Sequence, residues 1–97
     1  MFQIRFTPAA RAEVIEAQDW YEAEAIGLGR RFRAELDRIA QRMADNPREF
    51  PVVFKNVRRA RLRIFPYLLF FCIEPDALWI IACFHSSRDP QHWQTRV

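Results

Sequence analysis

Two glycines, two cysteines and a single lysine in 97 residues are what this chain has least of. With so little glycine, and with 51% of its residues hydrophobic, its composition is that of a chain that folds rather than of a disordered one. Cys72 and Cys83 sit in apolar runs without CxxC spacing and with no third or fourth ligand near either, which argues against a metal site. If Pro75-Asp76 turns a hairpin, Cys72 lies across from Trp79. Cys83 then falls four residues beyond Trp79, about 13 Å away at strand rise and too far for a disulfide. Both thiols read as small buried hydrophobes, and neither metal nor cofactor is expected. No stretch approaches the roughly 20 uncharged apolar residues of a membrane span, and the N-terminus lacks a basic region followed by an apolar run and a cleavage site. The expectation is a cytoplasmic protein with no membrane partner, folded as one domain over residues 1–97 around one core.

Charge is present in quantity and unevenly spread. Residues 1–27 carry two basic and five acidic side chains, residues 28–46 five and three, residues 47–66 six and one, and residues 67–97 two and three. The basic excess therefore concentrates in the segment 47–66, at plus five of an overall +3. Fourteen of the fifteen basic residues are arginine, whose planar guanidinium suits bidentate contact with phosphate or carboxylate. An acidic partner is the natural inference.

Hydrophobic periodicity gives the elements. Phe2, Ile4 and Phe6 alternate with Gln3 and Arg5, predicting a half-buried strand over Met1–Phe6 that Thr7-Pro8 ends while capping a helix. Ala10, Val14, Ala17 and Tyr21, with Ile15 and Trp20 beside them, predict helix one from Ala9 to about Ala25, acidic on its outer face. Gly27 and Gly29 allow a break, after which Leu28, Phe32, Leu36, Ile39 and Met43 predict helix two to about Asp45, ended by Asn46-Pro47. Beyond Pro51 the period becomes two. Val52–Phe54 is a short strand, and Arg59, Arg61 and Arg63 alternate with Ala60, Leu62 and Ile64, giving one arginine face and one apolar face. Tyr67–Glu74 and Leu78–His85 are near-continuous apolar runs, as central strands covered on both faces require. Gln91–Thr95 can form one helical turn after Asp89-Pro90. The expected fold class is α+β: an N-terminal strand and an α-helical hairpin packed on a twisted, mainly antiparallel sheet of about four strands.

Short motifs then recur in a definite order: Trp20-Tyr21-Glu22, Gly27-Leu28-Gly29, Arg31-Phe32, Asn46-Pro47, Phe50-Pro51, Arg58-Arg59, Phe65-Pro66-Tyr67, His85-Ser86-Ser87-Arg88-Asp89-Pro90, Trp93 and Arg96. In order and spacing the chain resembles the RelE/ParE toxin superfamily, and within it the ParE-type plasmid-stabilisation toxins. The resemblance implies a toxin of a type II toxin–antitoxin system, held in a hetero-oligomer by a cognate antitoxin whose C-terminal segment wraps it. It also implies one of two activities on one fold. ParE-like members poison DNA gyrase by binding it; RelE-like members are endoribonucleases that cut messenger RNA on the ribosome. An inactive interaction domain of the same fold is a further alternative.

The residues sort between these readings. Cutting RNA by attack of a 2′-hydroxyl needs a base, cations and an acid, and arginine supplies only the cation. For a nuclease, His85 is the leading base or acid, ahead of His92, Glu49 and Tyr67, with Arg61 as the catalytic cation and Arg88 close enough to hold His85 neutral. A strand-ending histidine that satisfies a backbone carbonyl is its structural counterpart. Arg59, Arg61 and Arg63 in register make a positive stripe suited to an anionic partner. Arg58, Arg88 and Trp93, from the shared motifs, join them as the candidate surface for target or antitoxin. Arg88 and Asp89 can also pair with each other or cap the last turn. Trp20, Trp79 and Trp93 read as core or lid packing rather than base-stacking platforms. Nuclease relatives tend to carry several lysines on the sheet and a tyrosine near the C-terminus, whereas this chain has only Lys55 and no tyrosine after Tyr67, which favours the ParE-like reading.

Overall fold

The computed structural model describes residues 2–97, so Met1, where the sequence starts its first strand, lies outside the described residues. The elements run β1 (Ile4–Phe6), α1 (Pro8–Glu24), α2 (Leu28–Asp45), a 3-10 turn (Pro47–Glu49), β2 (Val52–Phe54), β3 (Val57–Arg61), β4 (Tyr67–Ile73), β5 (Leu78–His85) and α3 (Gln91–Gln94). One sheet of five strands, in the order β1-β5-β4-β3-β2, is antiparallel except where β1 joins β5 in parallel. The N-terminal strand joins the expected sheet of about four strands as its fifth, crossing over through the helices to pair with the last strand.

Local chemistry explains the boundaries. Thr7 caps α1, its Oγ1 accepting from the Ala10 N–H at 3.2 Å, and Pro8 occupies the first helical position, where a missing N–H costs nothing. Between the helices Gly27 adopts φ 87°, which an L side chain tolerates poorly. A Cβ on Gly29 would lie 2.6 Å from the Gln18 carbonyl oxygen, so only glycine permits α2 to start this close to α1. The Glu22 carboxylate accepts from both glycine N–H groups, at 2.9 and 3.0 Å, and closes the corner.

The hairpin covers one face of the sheet. Phe32, Leu36, Ile39 and Met43 of α2 join Ala10, Val14 and Ala17 of α1 against Leu62, Leu69, Phe71, Leu78, Ile80 and Cys83. The other face, here called the open face, carries a smaller cluster in which Trp93 of α3 covers Phe70, Phe84, Val57 and Ala82. Two-sided burial of β4 and β5 thus follows the two-sided apolar runs. Cys72 pairs across from Trp79, as the hairpin at Pro75-Asp76 requires, and both cysteines are free and buried.

Three expectations need correcting. The alternation starting at Arg59 ends at Arg61, because the chain then turns: the Phe65 N–H donates to the Arg63 carbonyl at 2.7 Å, and Ile64 takes φ 71°. Ile64, expected in the core, is 79% exposed, and Arg63 lies beyond the strand rather than in register on it. Trp20, expected to pack, is 57% exposed. Among the described residues no helix is long and apolar enough to cross a membrane.

Candidate functional site

The arginine stripe survives in shortened form. Cross-strand pairing sets Arg59 beside Phe70 and Arg61 beside Leu68, on the open face, while Arg58 pairs with Phe71 on the helix face. Arg59 and Arg61 are exposed and have no ion-pair partner among the described residues. Arg5 of β1 pairs with Trp79 and so lies on the open face as well. The open face therefore has an arginine on the edge strand β1 and two on β3, with the aromatic rings of β5 and β4 between them. Sequence reasoning passed over Arg5, although the alternation in Phe2–Phe6 already set it opposite the apolar side.

The remaining candidates have other employments. Arg58 donates to the Phe50 carbonyl at 2.7 Å and ties β3 to the segment leaving α2. Arg63 uses its backbone N–H, which donates to the Glu35 carboxylate at 2.7 Å. The Arg88 guanidinium lies 3.9 Å over the Phe84 ring, a cation–π contact, and the Asp89 carboxylate accepts from the Gln91 N–H at 2.9 Å just ahead of α3. Trp93 is 2% exposed and stacks on Phe70 with ring centres 4.1 Å apart. Its indole N–H is buried without an acceptor, a cost of about 1–3 kcal/mol that burial of so large a ring offsets. Trp93 is thus a lid over the sheet in this structure and not an outward-facing contact.

His85 ends β5, as expected, but its surroundings turn on a bulge. Phe71 pairs with Ile80 and Phe70 with Ala82, so Ile81 is an extra residue in β5. The bulge resets the alternation: Leu78 and Ile80 face the helices before it, Cys83 does so after it, and His85 follows Cys83 by one period. His85 pairs with Tyr67, edge to face at 5.3 Å between ring centres, on the helix side of the sheet. Arg61, two strands away, leaves from the open face. The two residues named together for RNA cleavage are therefore separated by the sheet itself. The His85 Nδ1 accepts from the Ser87 N–H at 3.1 Å and lies 2.7 Å from the Ser87 Oγ, so the ring satisfies a backbone amide rather than the carbonyl expected.

The bulge also opens the edge of β5. Where β1 stops, the Cys83 N–H donates to Glu13 Oε1 at 3.1 Å, and Arg96 donates to the Ile81 carbonyl at 2.8 Å. Arg96 and Glu13 then pair at 2.7 Å, closing the uncovered strand edge with a partly buried ion pair. Beside this clasp, α1 and the ends of β4 and β5 enclose a cleft of about 460 Å³ lined by Glu13, Glu16, Trp20, Tyr21, Tyr67 and His85, among others. Burial raises the Tyr67 hydroxyl above the ordinary tyrosine pKa, with smaller contributions from its neighbours Tyr21, Cys83 and Glu16. The Cys83 thiol, buried and near Glu13, is pushed up to about 12 and is inert as a nucleophile. Among the described residues no cluster of histidine, cysteine and carboxylates could hold a metal ion.

A helical hairpin on a five-stranded sheet, with a basic open face and a C-terminal lid, defines a small α+β domain. The profile of the family described as "ParE toxin of type II toxin-antitoxin system, parDE" matches residues 4–90. The chain belongs to the ParE toxin family of type II toxin–antitoxin systems. Among solved structures it is similar to a chain of the "Chromosomal ParDE TA system from P. aeruginosa", with a TM-score of 0.71 and 18% identity over 88% of this chain and 96% of that one. At that identity the likeness establishes the fold. No curated protein sequence matches the chain.

Proposed function

We propose that this chain is a growth-inhibiting toxin that acts in the cytoplasm by binding DNA gyrase, and that a cognate antitoxin neutralises it in a hetero-oligomer. The observation that carries the choice of binding over RNA cleavage is the bulge at Ile81, which sets His85 and Arg61 on opposite faces of the sheet. A nuclease needs its base or acid within hydrogen-bond reach of the phosphate that its cation holds. On the side where His85 lies, Glu13 and Glu16 line the cleft, and Glu16, which lacks the arginine partner that Glu13 has, repels a phosphodiester. On the side where Arg59 and Arg61 lie, the histidine is His92, whose ring sits 6.4 Å from that of Phe84 on β5, two strands away from β3.

Free arginines on the open face suit an acidic protein segment. They pair with its carboxylates without the desolvation cost of deep burial, and they speed its approach. The test is supercoiling by purified gyrase in the presence of the purified toxin. Inhibition that is relieved by the small protein encoded beside the toxin gene supports the reading; gyrase unaffected at toxin concentrations that arrest growth overturns it.

A further inference from the structure

Trp20, Tyr21, Tyr67 and His85 form a continuous run of rings across the cleft between α1 and the ends of β4 and β5. Consecutive ring centres lie 5.1, 6.0 and 5.3 Å apart, each pair set edge to face. Trp20 at its mouth is 57% exposed, an unusual investment of a large apolar side chain in solvent. The same helix lines the cleft with two carboxylates. Glu13 is neutralised by Arg96, but Glu16 has no ion-pair or hydrogen-bond partner among the described residues. Arg88 also lines the cleft, and its charge partly offsets the rise in the Tyr67 pKa, but its guanidinium is engaged over Phe84, whose ring belongs to the open face.

We propose that this aromatic cleft is a receptor for a cationic side chain, an arginine or lysine presented by a protein partner, held over the rings and paired with Glu16. Ring faces attract cations and repel carboxylates, and an unpaired carboxylate at the wall selects the same sign of charge. An apolar occupant would strip water from Glu16 without replacing it, and an anion would meet it directly. A volume of about 460 Å³ accommodates one long side chain entering from the solvent side where Trp20 stands. The site is distinct from the basic open face, so the molecule offers partners two surfaces of opposite preference. The inference does not depend on which cellular target the toxin has.

The test is titration of the isotopically labelled chain with Nα-acetyl-arginine amide, read by NMR at the Trp20 indole N–H and the Glu16 and His85 backbone amides. Nα-acetyl-glutamate amide and Nα-acetyl-norleucine amide serve as acidic and neutral probes. The expected result is saturable shifts with the cationic probe alone, weakened at least about fivefold by Glu16→Gln and by Trp20→Ala. Both positions are exposed, and an unchanged melting temperature confirms that the variants fold. Equal binding of the neutral probe, binding of the acidic probe, absence of shifts up to tens of millimolar, or full binding by folded Glu16→Gln each overturns the proposal.

Discussion

Two glutamates hold α2 in place, Glu22 at its start and Glu35, in its middle, against the turn after β3. Backbone hydrogen bonds, that from Gly27 foremost, hold the Glu22 carboxyl below the ordinary glutamate pKa. The side-chain hydrogen bond from Arg38 does the same for Glu35, helped by the Arg63 N–H. A carboxylate whose folded pKa is depressed stabilises the fold above its unfolded value and ceases to do so as pH falls through the folded one. The melting temperature should therefore fall as pH drops from about 5 towards 3, across the ordinary glutamate value of about 4.3. Glu35→Gln should flatten part of that slope; a slope unchanged in this variant would show that the contacts of Glu35 with Arg38 and Arg63 contribute nothing. At this scale the sequence was legible where period and burial agree, as at Leu62, and illegible one step later. Arg63 and Ile64 continue the alternation in type, but the backbone has already turned, and the residue that marks the connection, Pro66, comes only at its end. Trp20 misled for the opposite reason: it sits beside the apolar stripe of α1 at a position that the hairpin leaves uncovered.

The elements were read well because each carries its own punctuation. Thr7-Pro8, Gly27 and Asn46-Pro47 mark the helix ends, and the spacing of Phe32, Leu36, Ile39 and Met43 names the face of α2 that meets the sheet. Leu36 is fully buried in that interface, so Leu36→Ala should cost roughly 2–5 kcal/mol, measured by chemical denaturation. An unchanged denaturation midpoint would mean that α2 presents another face. What the elements concealed is how they are joined. The parallel pairing of β1 with β5 depends on a crossover that no local pattern records. The bulge at Ile81 sits inside an unbroken apolar run, where one extra residue leaves no compositional trace yet moves His85 to the other side of the sheet.

For the whole molecule, the acidic outer side of α1 and the basic open face divide the surface by sign, and the C-terminal segment joins the two sides through the Arg96–Glu13 pair. If the open face meets the antitoxin, the double variant Arg59→Glu/Arg61→Glu should lose at least about tenfold in antitoxin affinity, chiefly at low salt, while keeping its melting temperature. Affinity unchanged at low salt would move the antitoxin elsewhere. The most direct test of the central claim, a toxin that binds rather than cuts, is induction of His85→Ala without antitoxin, followed by growth and by mapping of messenger RNA ends. Loss of a general acid or base typically costs about 10² to 10⁴ in rate. The prediction is that growth still arrests, the DNA-damage response still rises and RNA ends show no codon phase in either wild type or variant. Codon-phased cleavage in the wild type that disappears, together with toxicity, in the folded His85→Ala variant would contradict it.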